Sequence, residues 1–147
     1  MSLNYTRIAA AGLIGTLAMT AVGLYGAPMM GLEPMNPASM LAGAMGGVAI
    51  LGWMAHLMIG VVLAFGYALV SSRLPGPAPL RGAVYSLAPW LVAQVAVMPM
   101  MGMPIFSGSL TIAMGSLIGH LVYGAVVGAV AGVTTASPPL RATKAVA

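Results

Sequence analysis

Two histidines, His56 and His120, lie near the middle of long apolar segments. Ionisable side chains are costly at the centre of a bilayer and usually face the interior of a helix bundle. Each histidine has a small residue one helical turn before it and another one turn after it: Gly52 and Gly60 around His56, and Ser116 and Gly124 around His120. Because residues four apart share a helix face, we expect each imidazole to stand beside a shallow groove wide enough for a flat macrocycle.

This histidine pair has three readings. Two facing grooves could hold one b-type haem with two axial histidines, and the same grooves could instead bind another tetrapyrrole at each histidine. In the third reading the two neutral imidazoles bind no cofactor and only form hydrogen bonds between helices, with Gln94, Thr16 or Thr20 as partners.

Four methionines form a second group that could do chemistry. We expect them to cluster at the outer ends of the first and third helices: Met29, Met30, Met100 and Met101. Thioethers are soft ligands that suit Cu(I), so a copper site is a second cofactor hypothesis, less favoured than a tetrapyrrole. Alternatively, these residues are part of the general use of methionine as a gap-filler, since the chain contains 14 of them.

Other reactive arrangements are missing from the sequence. The chain has no cysteine, and Glu33 is its one acidic residue. A pair of carboxylates for acid–base catalysis, a Ser-His-Asp triad and a thiolate nucleophile are therefore excluded. We predict that the protein is not an enzyme.

The composition predicts the elements that must carry these residues. The chain is 61% hydrophobic and 4% charged, whereas a soluble domain has about 25% charged residues. Four apolar runs, at about residues 8–27, 47–70, 82–98 and 109–133, are close to the ~20 residues that span a bilayer as a helix. We therefore predict an all-α membrane protein with four transmembrane helices in a single domain covering residues 1–147.

Two prolines affect this prediction locally. Pro89 lies inside the third run and should kink that helix, since proline removes a backbone donor. In the first outer loop, Asn36 should cap a short interfacial helix that begins at Pro37.

The basic residues predict the orientation. They precede the first run, separate the second from the third and follow the fourth: Arg7, Arg73, Arg81, Arg141 and Lys144. By the positive-inside rule this side is cytoplasmic, with both termini there. The net charge of +4 is thus a topological signal, and no nucleic-acid partner is expected. The Ala-, Pro- and Thr-rich tail, residues 134–147, should be disordered on its own.

The two halves of the chain resemble each other. The segment Pro-Met-Met-Gly at residues 28–31 recurs 71 residues later, and His56-Leu57 recurs 64 residues later as His120-Leu121. We predict two parallel helix-hairpin repeats, at about residues 8–70 and 82–133, related by a pseudo-two-fold axis along the membrane normal. That symmetry would bring the two histidines to a similar depth.

Several segments resemble a known family. They are Gly52-Trp53-Met54-Ala55-His56, Ala88-Pro89-Trp90, Met98-Pro99-Met100-Met101-Gly102 and Gly119-His120-Leu121-Val122-Tyr123-Gly124. They are similar to a family of small, uncharacterised bacterial inner-membrane proteins with four transmembrane helices. The likeness covers nearly the whole chain except the tail. It implies a location in the bacterial inner membrane and carries no assigned activity.

The leading functional hypothesis is a non-catalytic accessory subunit of a larger membrane complex, respiratory or photosynthetic. It rests on the scarcity of charges and of residues outside the apolar runs. The bilayer and other membrane subunits would be its partners. The alternatives are a haem or tetrapyrrole protein that uses the histidine pair for binding or electron transfer, and a copper-handling protein that uses the methionines.

The copper hypothesis makes a direct prediction. Replacing Met29, Met30, Met100 and Met101 together with leucine should abolish Cu(I) binding, because leucine keeps the apolar bulk and removes the soft ligands. Competition titration of purified protein with a chromogenic Cu(I) chelator measures the affinity. Replacing Met54 and Met58 with leucine is the control, and equal affinity in both variants would refute the assignment.

Overall fold

The computed structural model describes residues 4–132, and within that range the chain is all-helical with five helices. They are α1 (Tyr5–Met29), α2 (Pro37–Ala44), α3 (Ala49–Arg73), α4 (Ala78–Met100) and α5 (Leu110–Ala131). All but α2 are long and apolar enough to cross a membrane, at 25, 25, 23 and 22 residues. The prediction of four spanning helices is confirmed at this level, whereas the predicted tail lies outside the described residues.

Side-chain caps mark the starts of three helices. Asn36 accepts a hydrogen bond from the Ser39 amide at 3.1 Å, and Pro37 is the first residue of α2, as the sequence predicts. Asn4 and Ser109 cap α1 and α5 in the same way. Each cap satisfies an amide at a helix end, where no intrahelical acceptor is available.

A single π-helical turn lies near the end of each of two spans. One covers Val22–Gly26 in α1, and the other covers Ala93–Val97 in α4. In α1 the carbonyl of Gly23 accepts a hydrogen bond from the Met35 amide at 2.9 Å, which ties the following loop to the helix. In α4 the helix continues through Pro89, and the π turn begins four residues later. Such turns are often found at functional sites.

Small residues set the packing of the spans. α1 and α5 pack together, with α3 against α1 and α4 against α5. A Cβ atom at Gly12 would clash with the backbone of α3 at Gly60, and one at Gly124 would clash with the Gly82 carbonyl of α4. Backbones approach this closely in lipid because van der Waals packing, rather than the hydrophobic effect, holds helices together there.

The two spans α3 and α4 separate over much of their length. In the described residues they meet mainly near the loop that joins them, where the Tyr67 hydroxyl donates to the Ala78 carbonyl at 3.2 Å. There the rings of Tyr67 and Tyr85 also pack edge to face, with centroids 5.7 Å apart. Beyond this contact the gap between the helices opens toward the interior of the bundle, and α2 packs across α3 at the far end.

Close packing at Gly124 predicts a large effect of a single methyl group. Gly124→Ala should destabilise the protein by about 1–3 kcal/mol, because the added carbon forces α4 and α5 apart. Gly43→Ala is the matched control, since a Cβ there meets nothing within 4 Å and alanine favours a helix by up to ~1 kcal/mol. Thermal unfolding of both variants in the same detergent measures the difference. A Gly124→Ala protein as stable as the control would contradict the described packing.

Candidate functional site

The gap between α3 and α4 leads into a cavity of about 460 Å³. All four spans contribute to its wall, and α2 covers one end with Pro37, Met40 and Leu41. The wall is mostly apolar, with Met19, Ile59, Leu63, Pro89, Val92 and Met98 among its members. Both histidines predicted from the sequence, His56 and His120, line this one cavity.

His56 is held by a hydroxyl on the neighbouring helix. Its ring is 7% exposed, and Nε2 lies 3.0 Å from Oγ1 of Thr20. The Thr20 hydroxyl donates its proton to the Thr16 carbonyl at 2.8 Å, one turn back along α1. Of the three partners considered from the sequence, Thr20 is therefore the one that contacts a histidine. This contact fixes the position of the His56 ring between α1 and α3.

His120 is held by its own helix. Its Nδ1 lies 2.9 Å from the carbonyl oxygen of Ser116, four residues earlier in α5. A carbonyl can only accept a hydrogen bond, so Nδ1 carries the proton. The ring is half-buried, and its other nitrogen is left for the cavity. A histidine oriented through one nitrogen in this way presents the other to a ligand.

Gln94 connects the cavity wall to a strained loop. It is 1% exposed, and its amide donates to the Ser116 hydroxyl at 3.2 Å and accepts from the Ser107 hydroxyl at 3.2 Å. Ser107 has a φ of 58° and its neighbour Phe106 a φ of 54°. Non-glycine residues rarely adopt this left-handed conformation, so the hydrogen bond to Gln94 helps to hold the loop in place.

Tyr123 closes the inner end of the cavity, and the sequence analysis did not single it out. The side chain is 2% exposed, and its hydroxyl donates to the Gly60 carbonyl of α3 at 2.6 Å. Tyr85 lines the cavity as well, with its hydroxyl against Gly66. A signal for Tyr123 was present, because it lies three residues after His120 on the same helix face.

The predicted grooves beside the histidines are different from the observed surface. Gly52 lies against α2, where Ala38 and Ala42 fill the space that its missing side chain leaves. Gly60 lies against Thr16, and Gly124 lies against Gly82. Thus neighbouring helices occupy the space at these three glycines, and helix packing accounts for them. Ser116 is the one of the four small residues that contributes a polar side chain to the cavity wall.

The four methionines of the copper hypothesis lie in different surroundings. Met29 and Met100 are 87% and 86% exposed, and Met30 is also exposed. Met101 is half-buried and lines the cavity. Among residues 4–132, no group of three or more His, Cys, Asp or Glu side chains is placed to hold a metal ion. The copper site stays a prediction, with two of its four thioethers turned away from the protein.

The fold and the site together define a multi-pass membrane protein with a histidine-containing cavity within its spans. The chain belongs to the family of unknown function DUF6789, whose sequence profile matches residues 4–142. The expected membership of an uncharacterised family is thereby confirmed. No curated protein and no solved structure matches the chain.

The contact between Thr20 and His56 predicts a specific loss. Thr20→Val keeps the shape of the side chain and removes the oxygen, so the buried His56 nitrogen loses its partner and stability should fall by about 1–3 kcal/mol. Thr111→Val is the control, because Thr111 is exposed on α5. Unfolding in detergent should show little change for the control. An equal change in both variants would mean that the hydrogen bond does not stabilise the fold.

Proposed function

We propose that this protein is a non-catalytic membrane protein that binds a lipid-soluble ligand in the cavity between its spans. The observation that carries the proposal is that His56 of α3 and His120 of α5 line the same cavity. Its volume of about 460 Å³ falls within the ~300–1,000 Å³ that is usual for small-molecule pockets. An apolar wall with a few converging polar groups is the usual composition of such pockets.

The ligand's route supports a lipid-soluble molecule. Ile59 on α3 and Val92 on α4 both line the cavity and are 43% and 56% exposed, so the cavity reaches the outer surface between these helices. In a membrane this surface faces hydrocarbon, because both helices are apolar enough to span it. A molecule dissolved in the bilayer can therefore approach the histidines without crossing water.

The hydrogen bonds of the two histidines bear on the haem alternative. A b-type haem with two axial histidines needs one free ring nitrogen on each side of the iron. His120 offers Nε2, whereas Nε2 of His56 is bonded to Thr20 and only Nδ1 is free. Haem b or another tetrapyrrole is thus a special case within the proposed class of ligands. An absorption spectrum of the purified native protein tests it, since a bound haem gives a Soret band.

We also propose that the spans form two parallel hairpin repeats with both termini in the cytoplasm of a bacterium. Several local features support the repeat. The two π turns lie 71 residues apart, and each is followed by a glycine, Gly31 or Gly102, with a φ of +77°. Gly60 and Gly124, which are 64 residues apart, both face the other helix of their own hairpin. The basic residues support the orientation.

A second candidate function is the accessory subunit of a larger membrane complex. The specific observation in its favour is that α2 is the one described helix too short to span a membrane, which leaves few residues outside the spans for chemistry of their own. Purification in mild detergent should then recover stoichiometric membrane partners. A lone monomer or homodimer would count against this function.

A filled cavity provides the sharpest test of ligand binding. Ala93 lies in the π turn of α4 and lines the cavity, so Ala93→Phe should block it and reduce a co-purified ligand at least tenfold. Ala96→Phe in the same turn is the matched control, because Ala96 is exposed and is not part of the wall. Mass spectrometry of solvent extracts from nanodisc preparations identifies and quantifies the ligand.

The result separates a pocket from an incidental lipid. A compound that is enriched with the native protein and with Ala96→Phe, but is depleted from Ala93→Phe, supports the proposal. Equal amounts in all three preparations would show that the compound coats the exterior, and the proposed function would fail.

A further inference from the structure

The two cavity histidines are fixed with their protons on opposite nitrogens. The single proton of the Thr20 hydroxyl is donated to the Thr16 carbonyl, so toward His56 the hydroxyl can only accept. The proton of that hydrogen bond therefore belongs to Nε2 of His56. In His120 the proton is on Nδ1, which donates to the Ser116 carbonyl.

Each ring then offers the cavity a lone pair. A neutral imidazole has one N–H group and one acceptor nitrogen, and a charged ring is disfavoured in an apolar cavity at membrane depth. The acceptors are Nδ1 of His56 and Nε2 of His120. Neither nitrogen receives a hydrogen bond from the part of the chain that the structure describes.

Other polar groups of the wall are already engaged. The Gln94 side chain is bonded at both its amide and its carbonyl, to Ser116 and Ser107. The hydroxyl of Tyr123 donates to the Gly60 carbonyl. The two imidazole lone pairs are thus the polar groups that most require a ligand, and both need a donor rather than an acceptor.

A metal ion is a poor match for these lone pairs. The two imidazoles are neutral, and no third His, Cys, Asp or Glu of residues 4–132 joins them in a metal-binding group. A cation bound there would keep its charge inside an apolar wall, which is strongly unfavourable. A neutral molecule that carries its own N–H or O–H groups satisfies both acceptors without adding charge.

We infer that the cavity is specific for neutral, lipid-soluble hydrogen-bond donors, of the class of alkylated phenols and aromatic diols, and discriminates against the ether or quinone of the same shape. The inference rests on the proposed function, since it names the ligand class of the same cavity. An ether or quinone would place oxygen lone pairs against the nitrogen lone pairs of His56 and His120. Each acceptor left without a donor should weaken binding about tenfold.

Matched ligands test this inference. A hydroquinone with a ten-carbon alkyl chain and its dimethyl ether have the same ring and chain, and only the diol has donors. Isothermal titration of the full-length protein in nanodiscs, under anaerobic conditions, should give a Kd at least tenfold lower for the diol. His120→Phe should bring the two affinities together. Tyr85→Phe, which removes a cavity hydroxyl and leaves both imidazoles, should preserve the preference.

A second measurement on the unaltered protein does not depend on how the variants fold. Nitrogen-15 NMR of histidine-labelled protein should show His56 protonated at Nε2 and His120 protonated at Nδ1. Adding the diol should shift the two unprotonated nitrogens, and adding the ether should leave them unchanged. Two rings with the same protonated nitrogen, or two doubly protonated rings, would overturn the inference.

The outcomes distinguish this inference from the proposed function. Equal binding of diol and ether would overturn the donor specificity and leave the proposed pocket intact. No binding of either probe, together with no co-purified ligand, would overturn both. Binding of Cu(I) with the loss of the lone-pair signals and no preference for the diol would assign the histidines to a metal instead.

Discussion

Inside a bilayer every polar group needs a partner within the protein, because no water is present to supply one. The described spans follow this constraint closely. The hydroxyls of Thr16 and Thr20 bond to carbonyls one turn back, and the indole of Trp90 donates to the Ala113 carbonyl at 3.1 Å. Tyr123 donates across the bundle to Gly60. Against this background, an imidazole nitrogen that faces a cavity without a donor stands out as a binding group.

The same constraint explains why glycines are important to the site although they do not line a groove for a macrocycle. Gly60 lets α1 approach α3 so closely that Thr16 contacts it, which brings Thr20 within reach of His56 one turn away. Gly124 does the equivalent for α4 and α5. The glycines position the helices, and the helices then position the histidines. A larger residue at either place would move an imidazole without touching it.

The two halves of the chain place different polar groups beside their histidines. Thr20, which holds His56, has Leu91 at the position 71 residues later, and His120 is held by the backbone of its own helix instead. Gly23 has Gln94 at the corresponding position: the first ties its loop through a backbone carbonyl, the second through a side chain. These differences give the cavity two imidazoles with opposite orientations. A cavity with two equivalent walls would not have this property.

The sequence alone determined the solvent, the number of spans and the depth of the polar residues, because composition and run length depend on transfer free energies and not on a particular fold. It also located the short helix at Pro37, whose cap is a local interaction between Asn36 and Ser39. The tertiary structure decided which surfaces meet: it filled the space at Gly52 with α2, left a cavity between α3 and α4, and chose Thr20 over Gln94 as the partner of His56. A one-dimensional pattern places a residue on a helix face, but the neighbour of that face depends on how closely several backbones approach at once.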